Sequence, residues 1–223
     1  MSETTSGMNR IYAVILAAGA SARMGSMKML LPFGAMTIIE KVISNVLAAG
    51  LKNIIVVTGS GQEDIVRAIE KMPVEQCFNE SWKDGMLSSV QCGIRALPED
   101  CDAVLVCLGD QPMIDPATVM ELIHAYSISD RNIFIPVYRK KRGHPLLIGK
   151  KYFSEIEKLD PEKGLRMLAH GFPDDVLEVE TDNQSILKDI DTPEDYKNEI
   201  NQTNQHGRKV EFYLKRGKDG SSD

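Results

Sequence analysis

Short branched apolar runs alternate with stretches of helical periodicity from Ile11 to Tyr126, and few folds accept that order. "IYAVILA" (Ile11–Ala17), "NIIVVTG" (Asn53–Gly59), "VEQCF" (Val74–Phe78) and "DAVLVCLG" (Asp102–Gly109) are strand-length. Their continuous apolar character marks strands buried on both faces, as in parallel sheets. Between them, Ile38, Ile39, Val42, Ile43, Val46 and Leu47 recur at helical spacing, with Gly50 as a stop. "QEDIVRAIEK" (Gln62–Lys71) carries acids near its start, as a helix dipole favours. Met86, Val90, Ile94 and Leu97 mark a third helix within Gly85–Leu97, and Pro116–Tyr126 a fourth that opens on proline. The alternation predicts an α/β three-layer sandwich: a mostly parallel central sheet, helices on both faces and right-handed crossovers.

The remainder is less regular. Strands are expected over Asn132–Tyr138, Gly143–Gly149 and Asp175–Thr181, the last as an edge strand, with helices over Lys151–Lys158, Glu162–His170 and Thr192–Ile200. The domain reading is a flexible N-terminus at 1–9, one domain at 10–201, and a polar, flexible tail at 202–223. Four cysteines lack any C-x-x-C or zinc-like spacing, so they read as reduced residues, mostly in the core. No run is long enough for a signal peptide or a membrane span, so a cytoplasmic protein without membrane contact is expected. The net charge of −6 argues against nucleic-acid binding, and positive charge for a phosphate ligand must be gathered locally.

Such a gathering follows the first strand. In "LAAGASARMGSMKMLL" the strand gives way to a loop with Gly19 and Gly25, and glycine lets backbone N–H groups approach phosphate oxygens. Arg23 can add a fork of donors and Lys28 a point charge. The stretch is neither a P-loop nor a dinucleotide fingerprint, because Ser26 follows Gly25 and Ser21 stands where the second glycine would be. Asp110, in "LGDQPMID", would stand just past the end of the fourth strand, where open α/β sheets place ligands. A carboxylate beside a polyphosphate implies an intervening Mg²⁺, since direct contact would repel. Asp189 or Asp191, in "KDIDTPED", can supply the second ligand, and Asp191 is preferred. Asn79, Gly85, Ser88 and Ser89 flank a helix start suited to anions and sugars, or are served by ordinary capping from Ser81 or Asp84. "YRKKRGHP" reads first as a solvated hairpin tip, with Gly143 and His144 able to line a pocket.

Read jointly, L-A-A-G-x-S-x-R-M-G-x-x-K-x-L-L (Leu16–Leu31), G-M-x-x-S-V (Gly85–Val90), G-D-Q-P-M (Gly109–Met113), R-G-H-P (Arg142–Pro145) and D-I-D-T-P-E-D (Asp189–Asp195) resemble the MobA-like nucleotidyltransferases, and within them the molybdenum cofactor cytidylyltransferases. The resemblance implies a Rossmann-like sheet of the nucleotide-diphospho-sugar transferase type. It implies CMP transfer from CTP to the terminal phosphate of the molybdopterin cofactor, with Mg²⁺ (or Mn²⁺), pyrophosphate release and a molybdenum hydroxylase as recipient. It places the nucleotide against Leu16, Ala17, Ala18, Gly19, Arg23, Gly25, Lys28, Asn79, Gly85 and Ser89, with Arg23, Lys28 and Asp110 catalytic. Asp110 and Asp191 would hold the metal; Arg142, Gly143 and His144 would meet the acceptor. Guanylyl transfer to the same cofactor, cytidylyl transfer to a methylerythritol or sugar phosphate, a non-catalytic cofactor chaperone and a nicotinamide oxidoreductase are the alternatives.

Overall fold

The structure, a computed structural model, describes residues 10–21, 24, 27–160 and 163–202. Strand β1 (Ile11–Ala17) leads through a 3₁₀ turn at Lys28–Leu30 into a small hairpin, β2 (Pro32–Phe33) and β3 (Met36–Thr37). Then follow α1 (Ile38–Ala48), β4 (Ile54–Thr58), α2 (Gln62–Ile69), β5 (Glu75–Phe78), α3 (Met86–Arg95), β6 (Ala103–Leu108) and α4 (Pro116–Ile128). The less regular part gives β7 (Ile133–Tyr138), β8 (Lys141–Arg142), β9 (Leu146–Gly149), α5 (Phe153–Glu157), α6 (Arg166–Gly171) and β10 (Val176–Glu180), with a last helix, α7, through 193–202.

The main sheet runs β10-β7-β9-β6-β1-β4-β5, with β8 paired to β7. The pairs β5/β4, β4/β1, β1/β6 and β7/β10 are parallel, and β9 lies antiparallel between β6 and β7. The chain goes from β1 outward through β4 to β5, then returns to place β6 on the other flank of β1. That reversal makes the carboxyl ends of β1 and β6 the topological switch point of the sheet, where open α/β sheets form the crevice that binds ligands.

Side-chain alternation along the strands makes two cores. Ala13, Ile15 and Ala17 face α1, α2 and α4; Val14 and Leu16 face α3, α5 and α6. A third cluster joins Phe33 and Ile38 to Ile190, with Tyr196 and Ile200 of α7 packed against it, and so anchors the 189–192 segment over the crevice.

Local chemistry fixes the element ends. Thr37 caps α1 through a reciprocal box with Glu40, and Asp115 caps α4 ahead of Pro116. Gly85 begins α3 with φ +97°, a conformation that favours glycine, and no side chain caps that helix, so neither Ser81 nor Asp84 plays the capping role. The segment expected to be one helix over Lys151–Lys158 is a 3₁₀ turn at Lys150–Tyr152 followed by α5, and α6 begins at Arg166. The hairpin of "YRKKRGHP" is present, with Arg139 and Lys140 in the left-handed region at its tip. Of the cysteines, Cys101 and Cys107 are buried, but Cys77 and Cys92 are only half-buried, outside the core proper. Among the described residues no helix is long and apolar enough to cross a membrane. The expected flexible segments at 1–9 and 202–223 lie outside the described residues except for Gln202, which is the last residue of α7, and Arg23 and Gly25 lie outside them as well.

Candidate active site

Three charged side chains meet in the crevice. Lys28 is buried, and its Nζ donates to Asp110 Oδ2 and, at 2.9 Å, to Asp191 Oδ1. The three come from distant elements: the turn after β1, the turn after β6, and the strap between β10 and α7. Backbone hydrogen bonds align them. Ile190 N–H donates to Asp110 C=O at 3.1 Å, and Gly109 N–H to Leu16 C=O at 3.0 Å. A methyl group on Gly109 would lie 2.7 Å from that same Leu16 oxygen, so the close approach of the β1 and β6 ends requires glycine there.

Burial is the largest influence on both members of the central pair, and it opposes charge on each. For Lys28 the two carboxylates outweigh it, and the ammonium is held above its ordinary value. For Asp110, burial and the neighbouring Asp189 outweigh Lys28, and the carboxyl is held above the usual carboxylate range. Asp110 is therefore a carboxylate that gains from more positive charge than Lys28 alone provides.

Asp189 turns the other way. It accepts from Gln111 Nε2 at 2.5 Å, while Oε1 of that buried glutamine has no partner among the described residues. Asp191 faces the Lys28–Asp110 pair; Asp195 is taken up by capping α7, accepting from Thr192 N–H at 2.8 Å. Among the described residues no group of three or more His, Cys, Asp and Glu stands ready for a metal. Two carboxylates nevertheless suit Mg²⁺, which keeps waters and binds one or two carboxylates plus substrate phosphates. An ammonium already lies between these two oxygens, so the pair can accept a cation.

Around this cluster the expected nucleotide residues divide into two kinds. Gly19 is exposed, with open space in front of its Cα, so its backbone is approachable. Gly85 likewise has nothing within 4 Å of its Cα face. Leu16, Ala17 and Ala18 are buried, and their side chains serve the core. Asn79, 3% exposed, is committed internally: Nδ2 donates to Ser88 Oγ and Ser89 Oγ at 2.9 and 3.0 Å, and Oδ1 accepts from Ser81 N–H at 3.0 Å. Asn79 and Ser89 thus hold the 79–89 loop and the α3 start in place. The Asn79 amide is spent on these bonds.

Arg142 is exposed and paired with Glu178 at 2.7 Å. Gly143 is wedged beneath Ile186, whose C=O would lie 2.3 Å from an added methyl. His144 is half-buried; burial lowers its pKa, opposed by the charge of Asp189. These three border a cavity of about 270 Å³ with an apolar floor of Ile133, Ile135 and Ile148 and a far wall from α6, where Arg166 and His170 stand.

Sequence reasoning missed three contributors and left a fourth, Arg166, unassigned because Pro161-Glu162 departs from the family pattern before it. Ser21, with φ +52°, accepts from Lys28 N–H at 3.0 Å and so pins the loop. Gly59 passes so close to Trp82 and Ala18 that an added methyl would lie 2.7 Å from Trp82 Cβ. Gln111 orients Asp189, and Arg166 lines the cavity. Ser21 and Gln111 lie inside motifs already singled out; Gly59 carries no signal without its tertiary neighbours.

Comparison with known proteins gives a consistent grouping. A family model described as MobA-like NTP transferase domain matches residues 13–176. The molybdenum cofactor cytidylyltransferase of Escherichia coli K12 is 31% identical over 192 residues, 85% of this chain and 95% of that protein. Nicotine blue oxidoreductase of Paenarthrobacter nicotinovorans is 28% identical over 196 residues, 82% of this chain and 93% of that protein. The solved structure of Rv0371c in complex with manganese, from Mycobacterium tuberculosis H37Rv, superposes with a TM-score of 0.74 at 26% identity, covering 86% of this chain and 98% of that one.

Proposed function

The chain belongs to the MobA-like NTP transferase family and is a nucleotidyltransferase, and from that premise we propose that it transfers CMP from CTP to the terminal phosphate of a molybdopterin-type cofactor, releasing pyrophosphate. The observation that carries this reading is the buried Lys28 between Asp110 and Asp191 at the β1/β6 crevice. A buried ion pair adds little net stability, so its presence at the ligand-binding edge of the sheet favours a role in chemistry.

The proposed roles follow from charge. The Gly19 backbone and Lys28, with Arg23, take the triphosphate, and Asp110 and Asp191 hold Mg²⁺. When bound, the metal supplies positive charge against the phosphate oxygens. The acceptor phosphate is itself the nucleophile, so no side-chain nucleophile is required. The protein positions two anions in line and stabilises charge developing on the leaving pyrophosphate. Asn79, Ser88 and Ser89 fix the loop beside the sugar and base. The cavity beside Gly143 and His144 has an apolar floor and Arg166 in its lining, with Arg142 beside it paired to Glu178, features suited to a flat heterocycle bearing an anionic tail. We place the reaction in the cytoplasm and its product with a molybdenum hydroxylase.

The test is Mg²⁺-dependent pyrophosphate release with the molybdopterin cofactor as acceptor and CTP or GTP as donor. CTP should support release and GTP should not. Asp110→Asn should lower kcat by about a hundredfold or more while keeping the unfolding midpoint. A preference for GTP, or unimpaired release by D110N, would overturn the assignment. Similarity to an oxidoreductase raises a second reading, hydride transfer from a nicotinamide. The absent G-x-G-x-x-G loop counts against it, and saturable NADPH binding at the crevice would revive it.

A further inference from the structure

Two thiols lie directly behind the Asn79 network. Cys77, in β5, and Cys92, on α3, place their Sγ atoms 3.7 Å apart, with Cys92 donating toward Cys77. Both are half-buried, whereas Cys101 and Cys107 are fully buried. Cys77 precedes Asn79 by two residues; Cys92 follows Ser89 by three, one helical turn on. The same two elements are therefore joined twice, once by the thiols and once by the Asn79–Ser88 and Asn79–Ser89 hydrogen bonds.

We propose that Cys77 and Cys92 form a redox-modifiable pair that closes to a disulfide under peroxide and, by doing so, displaces Asn79 and the 79–89 loop. The second half rests on the nucleotide reading of that loop; the first does not.

A disulfide has sulfurs about 2.05 Å apart, well over an ångström closer than the two thiols stand, and the part of that approach that side-chain rotation does not supply falls on the backbone of β5 or α3. The helix is the less free of the two to give. Gly93, the next residue, sits so tightly on the sheet that a methyl there would lie 2.3 Å from Val14 Cγ1. The strand is the freer: β5 is the edge of the sheet, paired only with β4. Asn79 leaves the end of that strand and must follow it. Hydrogen bonds already at 2.9 and 3.0 Å have no slack for such a shift.

The chemistry balances with one hydrogen peroxide. The Cys92 thiolate attacks a peroxide oxygen, the O–O bond breaks, and Cys92 becomes a sulfenic acid with loss of hydroxide. The Cys77 sulfur then attacks the Cys92 sulfur, forming the S–S bond and expelling hydroxide; the two thiol protons leave with the two hydroxides as water. Burial, then the neighbouring Cys92, pushes the Cys77 thiol up to about 12, with Arg95 acting the other way. Cys77 is therefore assigned the second, resolving step.

The test exposes the full chain to hydrogen peroxide, alkylates remaining thiols and maps unreduced peptides by mass. A Cys77–Cys92 linked peptide should form in wild type, be absent in Cys92→Ser, and disappear with dithiothreitol. Amide hydrogen exchange should rise across 79–86 in oxidised wild type and remain unchanged in peroxide-treated C92S. CTP·Mg affinity should fall about tenfold, the loss of roughly one to two hydrogen bonds, and return on reduction. Absence of the linked peptide from folded wild type overturns the pair. A linked protein whose 79–86 exchange is unchanged overturns the displacement. Failure of the reduced protein to bind CTP sinks the nucleotide reading alone, because peptide mapping and exchange do not use nucleotide.

Discussion

Single side chains here are set by what they are buried with. Lys28 and Asp110 stood out in the sequence because a lysine after a glycine loop and an aspartate after a strand suit phosphate and metal chemistry. That they touch, with Asp191 beside them, depends on chain reversals no local pattern records. Asp175 carried no signal at all. It accepts from Tyr152 Oη at 2.6 Å, Lys151 Nζ at 2.8 Å and Asn132 N–H at 3.0 Å. Burial pushes its carboxyl up, but donors from Lys151, Tyr152 and Asn132 outweigh that and hold it below its ordinary value. A carboxylate depressed in this way contributes stability above its unfolded pKa and loses it as pH falls through the folded value. Asp175→Asn should cost about 1–3 kcal/mol at neutral pH, and the gap from wild type should narrow below about pH 4. Urea titrations at both pH values measure this; a gap that stays constant would exclude the carboxylate as its source.

At the scale of elements, helix α3 meets the sheet through Gly93, where an added methyl would come within 2.3 Å of Val14 Cγ1 and 3.2 Å of Val57 Cγ2. Alanine is the better helix former by about 1 kcal/mol, whereas overpacking a rigid core costs about 1–3 kcal/mol. Val14 and Val57 are fully buried within β1 and β4, so crowding should prevail. Gly93→Ala should lower the denaturation midpoint, a net loss of about 1–2 kcal/mol. A midpoint equal to or above wild type would mean the helix slides freely on the sheet, which would also undercut the argument that β5 moves when the thiols close. The alternation of strand and helix was legible because burial on both faces leaves a continuous apolar run. The β2/β3 hairpin was not, since two-residue strands are too short to show a period.

For the molecule as a whole, the two cores share one sheet. Neighbouring residues of β1, Val14 and Ile15, face opposite layers, so neither layer can dissolve without stripping the strands the other packs on. We expect residues 10–201 to unfold as one cooperative unit, with a single calorimetric endotherm that moves upward with CTP and Mg²⁺, because a ligand of the native state alone raises apparent stability. Two separated endotherms would divide the chain differently.

The amino-acid order by itself determined the layer architecture, the strand–helix rhythm and the position of the motifs expected to meet phosphate, because each depends on periodicity or on neighbours within a few residues. Only the tertiary structure decided that Asp191 and not Asp189 faces Lys28, that Asn79 is spent on Ser88 and Ser89, and that Cys77 and Cys92 lie within reach of each other. Those outcomes depend on which strand edges lie side by side after the chain reverses at β6, and contacts between residues distant in sequence leave no mark on local pattern.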